Sequence, residues 1–164
     1  MNETLLPAAR AELSLLANLF QLYAYDFSEV LPLAVGADGR FPAPALETYW
    51  SDPGRDPFLL RVDDHPAGFA LIHHGSRISG DPQVVDMAEF FVLRRYRRHG
   101  VGTRAALALF GRFRGRWEVR QLPANASASR FWRAVIAAHT GGRYTEEVYD
   151  DERWRGPVQT FDNR

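Results

Sequence analysis

The sequence contains no cysteine and no lysine. The lack of cysteine excludes disulfide bonds, thiolate metal sites and a cysteine nucleophile. All 20 lysine-plus-arginine positions are arginine, so a lysine nucleophile or Schiff base is excluded as well. Contacts to a phosphate must therefore come from guanidinium or backbone N–H groups. Uninterrupted apolar runs fall far short of the roughly 20 residues that a membrane span requires, so we expect no membrane contact.

The formal net charge is zero, which argues against a general polyanion-binding protein because such domains usually carry a strong basic excess. The charge is nevertheless uneven, since nine arginines and a single acid, Glu118, lie from Arg94 to Arg120. Arginines alternate with aromatic residues in "RRYRR" and "GRFRGRW", as in proteins that bind single-stranded nucleic acid. An Arg-rich nucleic-acid-binding module therefore stays an alternative, although the zero net charge disfavours it.

The length and composition are those of one globular domain, which we expect to span residues 1–164. Hydrophobic residues make up 46% of the chain and charged residues 24%, as in ordinary globular proteins. The N-terminus carries Glu3 and has no basic region before its apolar residues, so it does not resemble a signal peptide. We therefore expect a cytoplasmic location.

The spacing of apolar residues predicts a helix, a short helix, three strands, a helix, a strand, a helix and two strands. Helical spacing is found at 8–24, 45–50, 101–113 and 126–139, the last opened by Asn125 as N-cap. Strand patterns are found at 57–62, 67–75, 84–93, 117–122, 143–149 and 156–162, with "DDHPAG" as a hairpin turn. An antiparallel meander followed by a strand–helix–strand unit predicts an α+β fold (an α/β mixed sheet) with helices on its faces.

Gly100 and Gly102 lie between a predicted strand and a predicted helix. Without Cβ atoms they let successive backbone amides converge on one anion, and the helix dipole favours negative charge there. A pyrophosphate would suit this turn, with Arg97, Arg98 and Arg104 at its rim. A tight turn without a ligand is the simpler alternative. Ala105 replaces the third glycine of a dinucleotide motif, which disfavours a Rossmann dehydrogenase.

Residues 97–102, "RRHGVG", resemble the Q/R-x-x-G-x-G/A acyl-CoA pyrophosphate loop of the GNAT superfamily of N-acetyltransferases. "NASASRFW", residues 125–132, resembles the second element of that family, N-x-x-A-x-x-[FL]-[YW]. The resemblance implies a GNAT-like acyl-CoA N-acyltransferase fold over most of the chain. It also implies direct transfer of an acetyl group from acetyl-CoA to a primary amine of a small molecule or peptide, without a metal. A non-catalytic acyl-CoA-binding protein of the same fold is the second possibility.

The resemblance also implies roles for individual residues. The backbone of Phe91, Val92 and Leu93 would run beside the pantetheine arm. The pyrophosphate would be held at the loop made of Arg97, Arg98, His99, Gly100, Val101, Gly102 and Thr103. Asn125, Phe131 and Trp132 would lie near the thioester and the pantetheine.

The family commonly has a tyrosine that protonates the departing thiolate, and the matching position here is Trp132. An indole has only an N–H donor and cannot be that acid. A thiol with a pKa near 8.5 leaves tolerably well as thiolate, so the acid is dispensable, or Tyr144 or Tyr149 substitutes for it.

A protonated amine must lose a proton before it attacks, so the site requires a base. Asp86 and Glu89 are the candidates, and strict alternation puts them on opposite faces of their strand unless a bulge shifts the register. His73 and His74 also point to opposite faces, so one of them should face the ligand.

The remaining expectations concern the acceptor and the assembly. Four aromatic and acidic residues near the end of the first helix would suit a cationic amine: Tyr23, Tyr25, Asp26 and Glu29. Trp154 and Phe161, expected to be exposed, would allow a homodimer.

Overall fold

The computed structural model describes residues 1–164 and contains one seven-stranded mixed sheet. The strands are β1 (Glu3–Pro7), β2 (Arg55–Val62), β3 (His65–His74), β4 (Val84–Val92), β5 (Arg116–Arg120), β6 (Thr145–Asp150) and β7 (Arg155–Asp162). Their order in the sheet is β1-β2-β3-β4-β5-β7-β6, and β4 and β5 are the parallel pair. The predicted meander and strand–helix–strand unit are confirmed.

Four α-helices accompany the sheet: α1 (Leu13–Phe27), α2 (Thr48–Ser51), α3 (Val101–Arg112) and α4 (Ala126–Thr140). A 3-10 turn at Arg10–Glu12 precedes α1, and another at Arg94–Tyr96 follows β4. None of these helices combines the length and the hydropathy needed to cross a bilayer. The sequence pattern missed β1 and the 3-10 turn at Arg94–Tyr96, and it identified the other strands and the four α-helices.

The two faces of the sheet carry separate hydrophobic clusters. On one face Met87 of β4 packs with Phe110 of α3 and Ile136 of α4. On the other face Phe91 of β4 packs with Phe20 of α1. Burying each such large side chain contributes about 1.5–3 kcal/mol, so both helical layers are firmly attached to the sheet.

A β-bulge at Ala88 interrupts β4. Leu71 of β3 pairs with Glu89, but the next residue, Ile72, pairs with Met87, which leaves Ala88 as an extra residue. The bulge reverses the alternation between its two sides. Asp86 and Glu89 therefore lie on the same face, the face that α1 covers, so of the two alternatives left open by the sequence the bulged register is the one present.

The parallel strands β4 and β5 separate shortly after they begin to pair. They pair over only three residues of each strand, Val84–Asp86 of β4 with Arg116–Glu118 of β5. Beyond Asp86 and Glu118 the two strands diverge, and a cleft opens between their carboxyl ends. Such an opening between parallel strands is a common place for a ligand.

Trp154 and Phe161, the two aromatic residues near the C-terminus, do not form an exposed aromatic surface. Phe161 is only 6% exposed and packs in the core with Phe110 and Trp117. Trp154 lies against the Arg120 guanidinium, 4.6 Å from ring centroid to Cζ. The prediction that Trp154 and Phe161 are exposed is wrong, because Phe161 of β7 is buried in the core and Arg120 covers Trp154.

Candidate functional site

The turn between β4 and α3 forms a cradle of free backbone amides. None of the six consecutive N–H groups from residue 98 to residue 103 donates a hydrogen bond to another group of the chain. Arg98 has a φ of 65° and Gly100 a φ of 77°, and such alternation of left-handed residues with their neighbours makes an anion-binding concavity. Gly100 is also the N-cap of α3, which adds the positive end of the helix dipole. The cradle fits a pyrophosphate.

The two glycines of this turn have different roles. A Cβ on Gly100 would meet the Arg104 guanidinium at 2.4 Å, and its positive φ disfavours any side chain. A Cβ on Gly102 would instead lie 3.4 Å from the Phe131 ring and 3.6 Å from Val92. Gly100 therefore shapes the cradle, whereas Gly102 lets α3 pack closely against α4 and β4.

Acidic residues from distant parts of the chain hold the arginines around the cradle. Arg97 donates from Nε to the Val92 carbonyl at 2.7 Å and pairs through Nη2 with Asp26. Arg104 pairs with Glu3 of β1. Five of the nine arginines in the basic segment make such pairs: Arg94, Arg97, Arg104, Arg116 and Arg120. More than half of the arginines between Arg94 and Arg120 therefore form ion pairs within the protein and do not contribute to an open basic surface.

The end of β4 connects this cradle to the cleft. The Phe91 ring packs against Tyr23 with centroids 5.5 Å apart, and the Leu93 amide donates to the Ala67 carbonyl at 2.8 Å. The Val92 carbonyl is occupied by Arg97. The pantetheine contact expected along Phe91–Leu93 stays a prediction.

The cleft has a volume of about 740 Å³ and lies where β4 and β5 separate. One half is lined by β4, β5 and α4, including Phe90, Arg120 and Trp132. The other half is lined by α1 and the loop that follows it, including Phe27 and Leu33. The cleft is thus an opening in the sheet with a helix on each side.

Glu89 lies at the floor of the cleft and is held by α1. The Tyr23 hydroxyl donates to Glu89 Oε2, and Tyr23 itself packs edge-on against Phe69 with centroids 5.5 Å apart. Glu89 Oε1 has no hydrogen-bond partner in the chain. Burial raises the pKa of Glu89 to about 7, against the opposing effects of the Tyr23 hydrogen bond and the Arg120 charge. A carboxyl group with this pKa can take up and release a proton at neutral pH.

Asp86 lies on the same face as Glu89 but is occupied by an ion pair. Arg120 Nη2 donates to Asp86 Oδ2 at 2.7 Å, and the two side chains are 11% and 4% exposed. Burial raises the pKa of Asp86 to about 6 despite this pair. Glu118 lies 3.6 Å from Arg120 Nε and accepts hydrogen bonds from the Ser76 hydroxyl and the Arg77 amide. Asp86 therefore belongs to a buried polar network beneath the cleft.

The second sequence element starts as predicted. Asn125 is the N-cap of α4, and its Oδ1 accepts a hydrogen bond from the Ala128 amide at 3.2 Å. Phe131 stacks on Phe90 with centroids 5.9 Å apart, and Trp132 meets Phe90 edge-on at 5.0 Å. Asn125 and Trp132 both line the cleft.

Neither of the tyrosines considered as substitute acids lines this cleft. Tyr144 lines a separate surface depression next to Arg116 and Phe161. The Tyr149 hydroxyl donates to Glu147 on β6 at 2.8 Å. The tyrosines of the cleft are Tyr23 and Tyr49, and burial raises the pKa of Tyr49 to about 12.

The other predicted ligand residues divide between the two sides of the sheet. His73 lines the cleft, while His74 faces the opposite side and contacts Asp56 Oδ2 at 2.8 Å. Tyr25 is 65% exposed and lies outside the cleft, as does Asp26, which is paired with Arg94 and Arg97. The prediction that Tyr25, Asp26 and His74 line the acceptor site is wrong. Tyr25 lies on the exposed side of α1, Asp26 is held by two arginines, and His74 points to the opposite face of the sheet.

Sequence reasoning missed much of the cleft lining, including Tyr49 of α2, Arg120 of β5 and the loop after α1. Tyr49 lies in a short predicted helix, and no sequence motif marks it as a site residue. Arg120 was counted only as one arginine of the basic segment. The loop provides Leu31, Leu33 and Pro42 to the lining.

The amide cradle at the N-terminus of α3 is thus joined along the end of β4 to a cleft with a carboxyl group at its floor. A model described as the "Acetyltransferase (GNAT) family" matches residues 16–135, and the chain belongs to this family.

Solved structures agree in fold. An acetyltransferase from Thermus thermophilus is 19% identical, with 99% of this chain and 97% of that chain covered and a TM-score of 0.68. PaiA N-acetyltransferase from Thermoplasma acidophilum, in complex with coenzyme A, is 8% identical with 99% of each chain covered and a TM-score of 0.66.

Diaminobutyrate acetyltransferase EctA from Paenibacillus lautus was solved with L-2,4-diaminobutyric acid and coenzyme A. It is 10% identical, with 99% of this chain and 95% of that chain covered and a TM-score of 0.65. At these identities the likeness shows the fold alone. The comparison with curated proteins gave no significant match.

Proposed function

We propose that this protein transfers an acetyl group from acetyl-CoA directly to a primary amine. The observation that carries the proposal is Glu89, a carboxyl group with a pKa near neutrality and one free oxygen at the floor of the cleft. The cradle at residues 98–103 and the cleft lie at the two ends of the path along the last residues of β4. A cytoplasmic location goes with this proposal.

The residues of the chain have distinct roles in binding the donor. The free amides from Arg98 to Thr103 bind the pyrophosphate, and Arg98 adds charge at the rim. Phe131 and Trp132 on α4 provide the apolar wall for the pantetheine arm. Bound acetyl-CoA would supply an acetyl thioester, which the free amine attacks directly with release of the CoA thiol.

Glu89 provides the proton acceptor. An amine arrives mostly protonated at neutral pH, and Glu89 Oε1 takes its proton because Oε2 is held by Tyr23. The Tyr23 hydrogen bond also fixes the orientation of the carboxyl group. Asp86 is the weaker candidate for the base, because Arg120 pairs with its Oδ2 and its unpartnered Oδ1 is buried.

None of the three residues considered for the role of the acid, Trp132, Tyr144 and Tyr149, is suited to protonate the leaving thiol. Trp132 stands where the family has a tyrosine, and its indole N–H cannot give up a proton under these conditions. A thiol with a pKa of about 8.5 leaves as thiolate without one. Trp132 is also the feature that favours a protein that binds acyl-CoA without turnover, so the test must include turnover.

The test is calorimetric titration of the purified chain with acetyl-CoA. Gly100→Glu puts a side chain and a negative charge in the cradle, and we expect it to weaken binding at least about tenfold. Gly39→Glu is the matched control, because Gly39 has a φ of 75° and a Cβ there would contact nothing within 4 Å. Both variants carry the same added charge and place a side chain at a similar positive φ, 77° at Gly100 and 75° at Gly39.

We expect micromolar binding by the wild type and by Gly39→Glu, and release of free thiol when an amine is added. A wild-type protein that does not bind acetyl-CoA would overturn the proposal. Binding without thiol release for any amine would support the non-catalytic alternative.

A further inference from the structure

The acceptor half of the cleft differs from the donor half in its lining. If acetyl-CoA lies along β4 and α4, as the proposed function requires, the acceptor enters on the side of α1. That side is lined by apolar side chains from α1 and from the loop after it. They are Phe20, Ala24, Phe27, Leu31, Leu33 and Pro42.

The loop that carries half of this apolar wall is fixed in place. The Gln21 side chain exchanges two hydrogen bonds with the backbone of Phe41, Nε2 donating at 3.0 Å and Oε1 accepting at 2.8 Å. The Leu31 amide donates to the Phe27 carbonyl at 2.9 Å, which extends α1 into the loop. The wall is therefore formed before any acceptor binds.

Among the charged groups that line the cleft, only one carboxylate is available to pair with an ammonium group. The lining has two carboxyl groups, Asp86 and Glu89, and three arginines, Arg55, Arg77 and Arg120. Asp86 is paired with Arg120, so Glu89 is the one lining carboxyl group without a basic partner. Arg77 has no carboxylate partner and adds positive charge.

We infer that the acceptor is a primary amine with one positive charge on an apolar body, and not a diamine or polyamine. The ammonium meets Glu89, and the apolar body lies against α1 and the loop at Leu31–Pro42. On the side of α1 a second ammonium would lie against the apolar wall, and next to Arg55, Arg77 or Arg120 it would meet like charge, so in either position it loses hydration without gaining a free carboxylate.

Two amines of equal size test this inference. n-Pentylamine and 1,4-diaminobutane have the same number of heavy atoms and differ by a terminal methyl in place of a second ammonium. The full chain is assayed with acetyl-CoA by thiol release, and kcat/KM is measured for each amine. We expect n-pentylamine to be preferred at least about tenfold, the scale on which apolar pockets discriminate small groups.

A pair of loop variants tests the position of the apolar wall. Leu33 lines the cleft, whereas Val35 lies two residues along the same loop and does not. Leu33 is 36% exposed and Val35 50% exposed, so neither Leu33→Asp nor Val35→Asp disturbs the core. We expect Leu33→Asp to reduce the preference for n-pentylamine about tenfold and Val35→Asp to leave it within about twofold. The affinity for acetyl-CoA should be the same in both variants.

The outcomes separate this inference from the proposed function. Equal or better use of 1,4-diaminobutane, or an unchanged preference in Leu33→Asp, would overturn the inference while acetyl transfer to an amine stands. Absence of acetyl-CoA binding would overturn the proposed function, and the inference with it.

Discussion

The Tyr23 hydroxyl and the Glu89 carboxylate are joined by a hydrogen bond that links α1 to the bulged strand β4. The bond occupies Oε2 of Glu89 and leaves Oε1 free at the floor of the cleft. It exists because the bulge at Ala88 turns Glu89 toward α1. A single extra residue in the strand thus places Glu89 on the same face as Asp86, beside α1.

Replacing Glu89 should abolish most of the catalysis and leave donor binding intact. Glu89→Gln keeps the size of the side chain but cannot accept a proton, and general bases contribute about 10²- to 10⁴-fold to rate. We expect kcat to fall about 10²- to 10⁴-fold, and the affinity for acetyl-CoA measured by calorimetry to stay unchanged. Glu29→Gln is the control and should keep the wild-type rate, because Glu29 is exposed just after α1 and, contrary to expectation, does not line the cleft. A fully active Glu89→Gln would show that Glu89 is not the base.

Removing the Tyr23 hydroxyl should shift the pH dependence of the reaction. The hydrogen bond from Tyr23 lowers the pKa of Glu89, against the larger effect of burial that raises it to about 7. Glu89 must be ionised to act, so the rate should rise with pH through about 7 in the wild type. Without the donor, the pKa of Glu89 rises, and the acidic limb of kcat in Tyr23→Phe should move to higher pH.

The measurement is kcat against pH for Tyr23→Phe beside Tyr25→Phe. Tyr25 is exposed and does not line the cleft, so its hydroxyl does not contact Glu89. Identical profiles for wild type and Tyr23→Phe would contradict the proposed role of the hydrogen bond.

Much of the fold could be predicted from the sequence because its signals are local. Helical spacing in α1, α3 and α4, the N-cap at Asn125 and the glycine turn all lie within short stretches. β1 was missed because it is a five-residue edge strand whose partner lies far away, Glu3 pairing with Val62. No local pattern reports such a pairing.

The details of the site depended on contacts between distant parts of the chain. A bulge becomes visible only when the partner strand is known, so the face of Glu89 could not be read from β4 alone. Asp26 looked like a ligand for an amine until Arg94 and Arg97, about 70 residues away along the chain, were found to occupy it. The wall formed by Leu31 and Leu33 comes from a loop without periodicity.

The proposed base should cost the protein stability at neutral and alkaline pH. The pKa of Glu89 is about 7 in the folded protein against 4.5 as the ordinary value, so the folded state binds its proton more tightly than the unfolded chain. The stabilisation from this proton is complete below about pH 4.5 and is lost as the pH rises through about 7. The ionised carboxyl group is therefore unfavourable in its half-buried position.

Glu89→Gln carries no such charge at any pH. We expect its free energy of unfolding to match that of the wild type near about pH 4 and to exceed it near about pH 8 by on the order of 2 kcal/mol. Urea denaturation of both proteins across this range measures the difference. A variant that is less stable than wild type at about pH 8 would contradict the raised pKa.

Two glycine-to-alanine changes should have opposite effects on stability. A Cβ on Gly68 of β3 would lie 2.0 Å from the Phe91 carbonyl oxygen, so the backbone of β3 or β4 would have to move. We expect Gly68→Ala to lower the free energy of unfolding by about 1–3 kcal/mol. Gly111 lies in α3, and a Cβ there meets nothing within 4 Å. Gly111→Ala should raise the free energy of unfolding by about 0.5–1 kcal/mol, because alanine loses less backbone entropy in a helix. Urea denaturation at one pH compares the two, and a Gly68→Ala protein as stable as the wild type would contradict the close approach of β3 to the strand that carries Glu89.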